Sequence, residues 1–135
     1  DLIAESLDGI DIPCTILESR EEMLVNLVQK NVFILTTNIA GLALDEGATT
    51  ATLWAESRQL ALDVANDAID LQEALTGKSL PRELLIEGLV QGLGADPHHK
   101  CKGRSAPARL ARAIAIADKE GVKIKSIRDL AKRLN

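Results

Sequence analysis

Aromatic side chains are almost missing: Phe33 and Trp54 are the only two in 135 residues. A core without them has to be filled by Leu, Ile, Val and Ala. Because Ala is the strongest helix former, that composition favours packed helices over a β-sandwich. Cysteine is scarce as well. Cys14 and Cys101 stand far apart in the chain, which argues against a disulfide framework and for a reducing, cytoplasmic setting. No run of about twenty apolar residues occurs, so no membrane-spanning helix is expected. The opening Asp1-Leu2-Ile3 has neither an initiator Met nor a basic signal-peptide region, and reads as a fragment or a processed end. Both histidines, His98 and His99, are adjacent, so no Ser/His/Asp or Cys/His triad can be argued.

What is present is a division of charge. The formal net charge is −4, but residues 1–75 hold fourteen acids against three bases, and residues 76–135 hold thirteen bases against six acids. The halves therefore carry −11 and +7, which sum to −4. Such asymmetry points to nucleic acid or an acidic partner. The plainer reading is that one half neutralises the other within a fold or a dimer. Apolar residues make up 46% of the chain, enough for a single globular core and too many for a disordered one.

The spacing of apolar residues predicts a mainly α fold: an acidic, bundle-like body over residues 1–94, a linker or loop over 95–107, and a basic helical segment over 108–135. Ile10–Glu18 reads as a short edge strand, since it is β-branched and contains Pro13. Ser19 and Glu22 match a capping box for a helix of about Arg20–Lys30, ended by Asn31. Val32–Thr37 fits either a buried strand, completing a small β-α-β unit, or the start of a buried helix to Leu44. Thr49–Thr76 reads as one long amphipathic helix stopped by Gly77, central to a bundle or a dimer interface. A helix opening near Ser79 and Pro81 stops around Gly92-Leu93-Gly94. Two short helices follow, one ending at Gly121 and one with Ser126 at its N-cap.

The basic segment carries the functional expectation. Residues 98–135 contain eleven Lys/Arg and three acids. Lys100, Lys102, Arg104, Arg109, Arg112, Lys123, Lys125, Arg128, Lys132 and Arg133 are the candidate phosphate contacts, with Leu110, Ala113, Ile114, Ile116, Ile127, Leu130, Ala131 and Leu134 turned inward. Low aromatic content argues against stacking on single strands, so duplex DNA is the expected ligand. The string IRDLAKRLN resembles the first helix of a helix-turn-helix, whose base-reading helix would follow Asn135. IPCTILESREEMLVNLVQKN is similar to the end of the ParB-type N-terminal fold, without that family's Arg-rich nucleotide-binding motif, and the resemblance implies a DNA partner. Gly92-Leu93-Gly94 resembles the hairpin of helix-hairpin-helix proteins, though the helix that should follow it is replaced by Asp96-Pro97-His98-His99.

Other constellations lead elsewhere. Asp63, Asp67, Asp70 and Glu73 share a helix face, and with Glu18 and Glu21 they resemble the acidic helices of all-helical nucleotide pyrophosphohydrolases, which would imply Mg²⁺. A solvated acidic face is the commoner outcome. His98, His99 and Cys101 make one ligand knuckle where zinc needs two, and Gly77-Lys78-Ser79, the tail of a phosphate-binding-loop pattern, lacks the upstream Gly because that position is Gln72. No metal or cofactor is expected. The expectation is a non-enzymatic, duplex-DNA-binding regulatory or partition-type protein that forms homo-oligomers through the long helix. An assembly subunit, whose basic segment docks on an acidic helix, stands second. A Mg²⁺-dependent hydrolase stands third.

Overall fold

The longest element is a 28-residue helix, α1 (Cys14–Gly41). This computed structural model describes residues 14–45, 47–95 and 98–134, with side chains described from Arg20 onward. Val28, Val32, Thr36, Ile39 and Ala40 are buried along α1, mostly at steps of three and four that keep them on one face. Val32–Thr37 is therefore helical. The β-α-β alternative fails: residues 14–18 of the expected strand lie in α1, and residues 10–13 fall outside the described residues. Apolar, β-branched side chains here are covered by other helices, so burial overrides strand propensity. Ser19 does not start a helix and Asn31 does not end one; both lie inside α1.

The expected single helix over Thr49–Thr76 is two: α2 (Thr50–Glu56), capped by Thr49, and α3 (Arg58–Thr76), ended by Gly77 in the left-handed region at φ 69°. The break is one residue deep. Ser57 leaves helical geometry (φ −136°, ψ 40°), yet its N–H still donates to the Leu53 carbonyl at 2.9 Å, and its own carbonyl accepts from the Ala61 N–H at 3.0 Å. The kink lets Leu53 on α2 and Ala61 on α3 both reach the core, where each is fully buried. Across it, the Arg58 guanidinium sits 4.6 Å from the Trp54 ring centre.

The next helix, α4 (Arg82–Ala95), runs through Gly92-Leu93-Gly94 instead of stopping there. Gly88 and Gly92, one turn apart, face α1: a Cβ at Gly88 would fall 1.4 Å from the Gln29 amide nitrogen, and one at Gly92 3.0 Å from the Phe33 ring. These glycines buy close approach of α4 to α1. Two further helices, α5 (Ala106–Glu120) and α6 (Lys125–Leu134), complete the described chain. One apolar cluster joins all of it, from Val28 on α1 and Val64 on α3 to Leu110 on α5 and Leu130 on α6. Among the described residues there is no strand, only an isolated antiparallel bridge between Thr49 and Lys100, and no helix long and apolar enough to cross a membrane.

The stretch between α4 and α5 is tied to the body at several points. The Thr50 N–H donates to the His99 carbonyl at 2.8 Å, Cys101 N–H to the Ala48 carbonyl at 2.9 Å, and Gly103 N–H to Asn38 Oδ1 at 2.7 Å. Cys101 is buried against the end of α1, where Gly41 leaves room for it: a Cβ there would lie 2.9 Å from the Cys101 Cβ.

Candidate nucleic-acid interface

The basic segment folds for identifiable local reasons. Pro107 sits in the first turn of α5, where it costs no hydrogen bond, and Gly121 ends the helix at φ 70° with its N–H on the Ala117 carbonyl. Leu110, Ala113, Ala117, Ile124, Ile127 and Leu130 are buried, Ile114, Ile116 and Ala131 half-buried, and Leu134 exposed. Ser126 is not the residue that caps α6, which already begins at Lys125. The cap comes from sixty residues upstream: Asp67 Oδ2 on α3 accepts the Ile127 N–H at 2.9 Å. Burial pushes the Asp67 carboxyl above its ordinary value. The Ile127 and Ser126 amides work against that shift, and the neighbouring charges of Asp70 and Asp63 add to it.

The rest of the acidic face of α3 is occupied by Arg82. Its guanidinium donates to the Asn66 carbonyl and Oδ1 at 3.2 and 3.0 Å, to Asp70 Oδ1 at 2.5 Å and to Glu73 Oε1 at 3.2 Å. Glu73 Oε2 also accepts the Leu80 N–H at 2.8 Å, and Asp63 accepts from the Gln59 amide. These carboxylates organise the α3–α4 corner. Among the described residues, no group of three or more His, Cys, Asp and Glu side chains is placed to hold a metal ion. Cys101 is buried while His98 and His99 are exposed.

The candidate cations lie on the outside of this frame. Lys100, Arg104, Arg112, Lys123, Lys125, Lys132 and Arg133 are exposed; Lys102, Arg109 and Arg128 are half-buried. Arg128 pairs with Asp118 of α5 at 2.6 Å, and Arg109 Nε donates to Ser105 Oγ at 3.1 Å. No ion pair joins these cations to the α3 carboxylates among the described residues. Lys123, Lys125, Arg128, Lys132 and Arg133 cluster on α6 and its approach. Arg109 and Arg112 sit one turn apart on α5, beside α1 and α3. The functional residue missed in the sequence is Asp67 as a cap, because its partner is remote.

Fold and site together define an all-helical protein with a cationic helix pair anchored to an acidic helix. The chain matches no family model, no curated protein and no solved structure.

Proposed function

We propose that this chain binds duplex DNA through α5, α6 and the segment before them. One observation supports the reading above the rest: among the described residues, the α3 acids meet residues 98–135 through Asp67 and backbone amides, and Lys100, Arg104, Arg112, Lys123, Lys125, Lys132 and Arg133 stay exposed. A cationic surface of this kind gains affinity by releasing counterions from phosphates. The order of elements adds to it. A first helix, a glycine-initiated connector over residues 121–124 and a second helix have the composition of a helix-turn-helix, with α6 in the reading position instead of the leading one. Lys125, Arg128 and Lys132 then lie along the side that faces a groove.

Gel-shift titrations with random-sequence duplex DNA across a salt series test this. Replacing Lys123, Lys125, Lys132 and Arg133 with Gln removes four exposed cations. The slope of log affinity against log salt should become shallower by about 3–4. An unchanged slope and affinity sinks the assignment.

The assembly reading keeps one observation of its own. Met23 (70% exposed) and Leu27 (57%) lie one turn apart on α1, and Leu84 (53%) on α4 lies beside the same part of α1. The stripe once expected to drive self-association is used inside the chain: Ala61, Val64, Ala65, Ala68, Ile69 and Leu71 are buried. Self-association, in this reading, runs through Met23 and Leu27, with Leu84 on a different face beside Val25 and Asn26. Light scattering of a Met23→Ser/Leu27→Ser variant at low and high salt separates it from the DNA reading, since an oligomer held there loses mass while DNA affinity per cation stays.

A further inference from the structure

Between α1, α3 and α5 lies a partly enclosed cleft of about 260 Å³. Ile34 and Leu35 of α1, Leu71 and Leu75 of α3, and Ile116 of α5 give it apolar walls. Four polar side chains converge on the same space: Asn31 and Gln72, joined by a long 3.5 Å amide contact, and Arg109 and Arg112. Gln72 is only 7% exposed, and its one hydrogen bond among the described residues uses the oxygen as acceptor. The amide nitrogen has no acceptor among the described residues and is left to donate to whatever occupies the cleft. Arg112 forms no hydrogen bond or ion pair with a described residue, and Arg109 spends only Nε, on Ser105. An apolar hollow with a few convergent donors is the usual form of a small-molecule site. Here the donors all favour an acceptor, and two of them carry positive charge.

We propose that this cleft binds a small amphipathic anion: an apolar body against Ile34, Leu71, Leu75 and Ile116, and a carboxylate or similar head held by Arg109 and Arg112, within reach of the Gln72 amide. The volume lies just under the ~300–1,000 Å³ usual for drug-sized ligands, so the body is short. Guanidinium forks suit a carboxylate, which can accept two parallel N–H bonds. The cleft shares Arg109 and Arg112 with the proposed phosphate contacts, but its apolar walls and the Gln72 amide belong to it alone, so octanoate binding can be tested without DNA.

Octanoate is the probe, followed by isothermal titration calorimetry and by chemical-shift changes in an isotope-labelled full chain. Saturable binding at one site is expected, with shifts concentrated at Ile34, Gln72, Ala113 and Ile116. Octan-1-ol supplies the body without the charge and acetate the charge without the body. Each should bind at least ~10-fold more weakly, the usual scale for losing a charge-assisted contact. An Arg109→Ala/Arg112→Ala variant should lower octanoate affinity to that of octan-1-ol while leaving octan-1-ol unchanged. Leu75→Glu, at a half-exposed position of the cleft (52%), should abolish octanoate binding by setting a carboxylate against the apolar body. No saturable octanoate binding, or equal binding by the double variant, overturns the proposal. So do shifts that map to the exposed Met23 and Leu27 instead.

Discussion

Removing the Asp67 carboxylate should show whether α6 is held by a hydrogen bond or by a charge. In Asp67→Ala the Ile127 N–H, now bonded at 2.9 Å, loses its acceptor in a part-buried position. Losing a helix cap of this kind costs about 0.5–2 kcal/mol, and the orphaned donor places the expected value in the upper half of that range. For a chain of 135 residues, this corresponds to roughly 4–8 °C in Tm. Asp67→Asn behaves differently, because its side-chain oxygen still accepts the amide bond but carries no charge. Burial, opposed by the two amides and reinforced by Asp70 and Asp63, holds the wild-type carboxyl above its ordinary 3.8. The ionised form is thus disfavoured in the fold, and Asp67→Asn should equal or exceed wild-type stability at pH 7. The sign continues with pH. Between the raised native value and 3.8 the native state binds more protons than the unfolded one, so this group's contribution to stability rises as pH falls through that window. The advantage of Asp67→Asn should shrink over the same interval. Urea unfolding followed by far-ultraviolet circular dichroism at several pH values measures all of this. If Asp67→Asn is as unstable as Asp67→Ala at pH 7, the capping argument is wrong.

Three further outcomes follow from particular contacts. The Thr36 hydroxyl is buried on α1 with no hydrogen-bond partner among the described residues, so Thr36→Val should stabilise the fold by about 1 kcal/mol in the same urea assay. Gly41→Ala should destabilise it by about 1–3 kcal/mol, because the new Cβ meets the Cys101 Cβ at 2.9 Å and the Lys102 backbone nitrogen at 3.1 Å, neither of which is a flexible chain end. Octanoate should weaken duplex-DNA binding in a gel shift, since Arg109 and Arg112 serve both ligands in the two proposals. Binding of octanoate with no change in DNA affinity would remove these two arginines from the phosphate contacts and leave the cleft intact.

Much of the helical fold was legible because apolar residues recur at three- and four-residue steps over long spans. Ala61 to Leu71 on α3 and Leu110 to Ala117 on α5 are buried as that spacing requires. The errors lie where local signals competed with burial that sequence does not display. Val32–Thr37 carries a β-branched run, but α1 buries it in a helix. Gly92 and Gly94 read as a helix stop, whereas Gly92 is needed for contact with Phe33 fifty-nine residues away. Ser57 gives little warning of a kink, because Ser tolerates a helix and the apolar stripe continues across it. The candidate cations were visible as composition alone. Their separation from the acids was not, since it depends on how α4 and α6 meet α3.

That meeting explains how opposite charges can share a small fold without cancelling. The acids of α3 are answered twice, by Arg82 from α4 and by the first amides of α6. Arg82 comes from the basic half of the chain but from outside residues 98–135, so the cations of the basic segment are not consumed by it. The amides of α6 satisfy Asp67 without using any side chain at all. A helix end brought to a carboxylate in this way docks a cationic helix on an acidic one while Lys125, Lys132 and Arg133 stay exposed. Asp67→Ala should then loosen α6 while every Lys and Arg of residues 98–135 stays in place, and a duplex-DNA gel shift of that variant separates the position of those cations from their number.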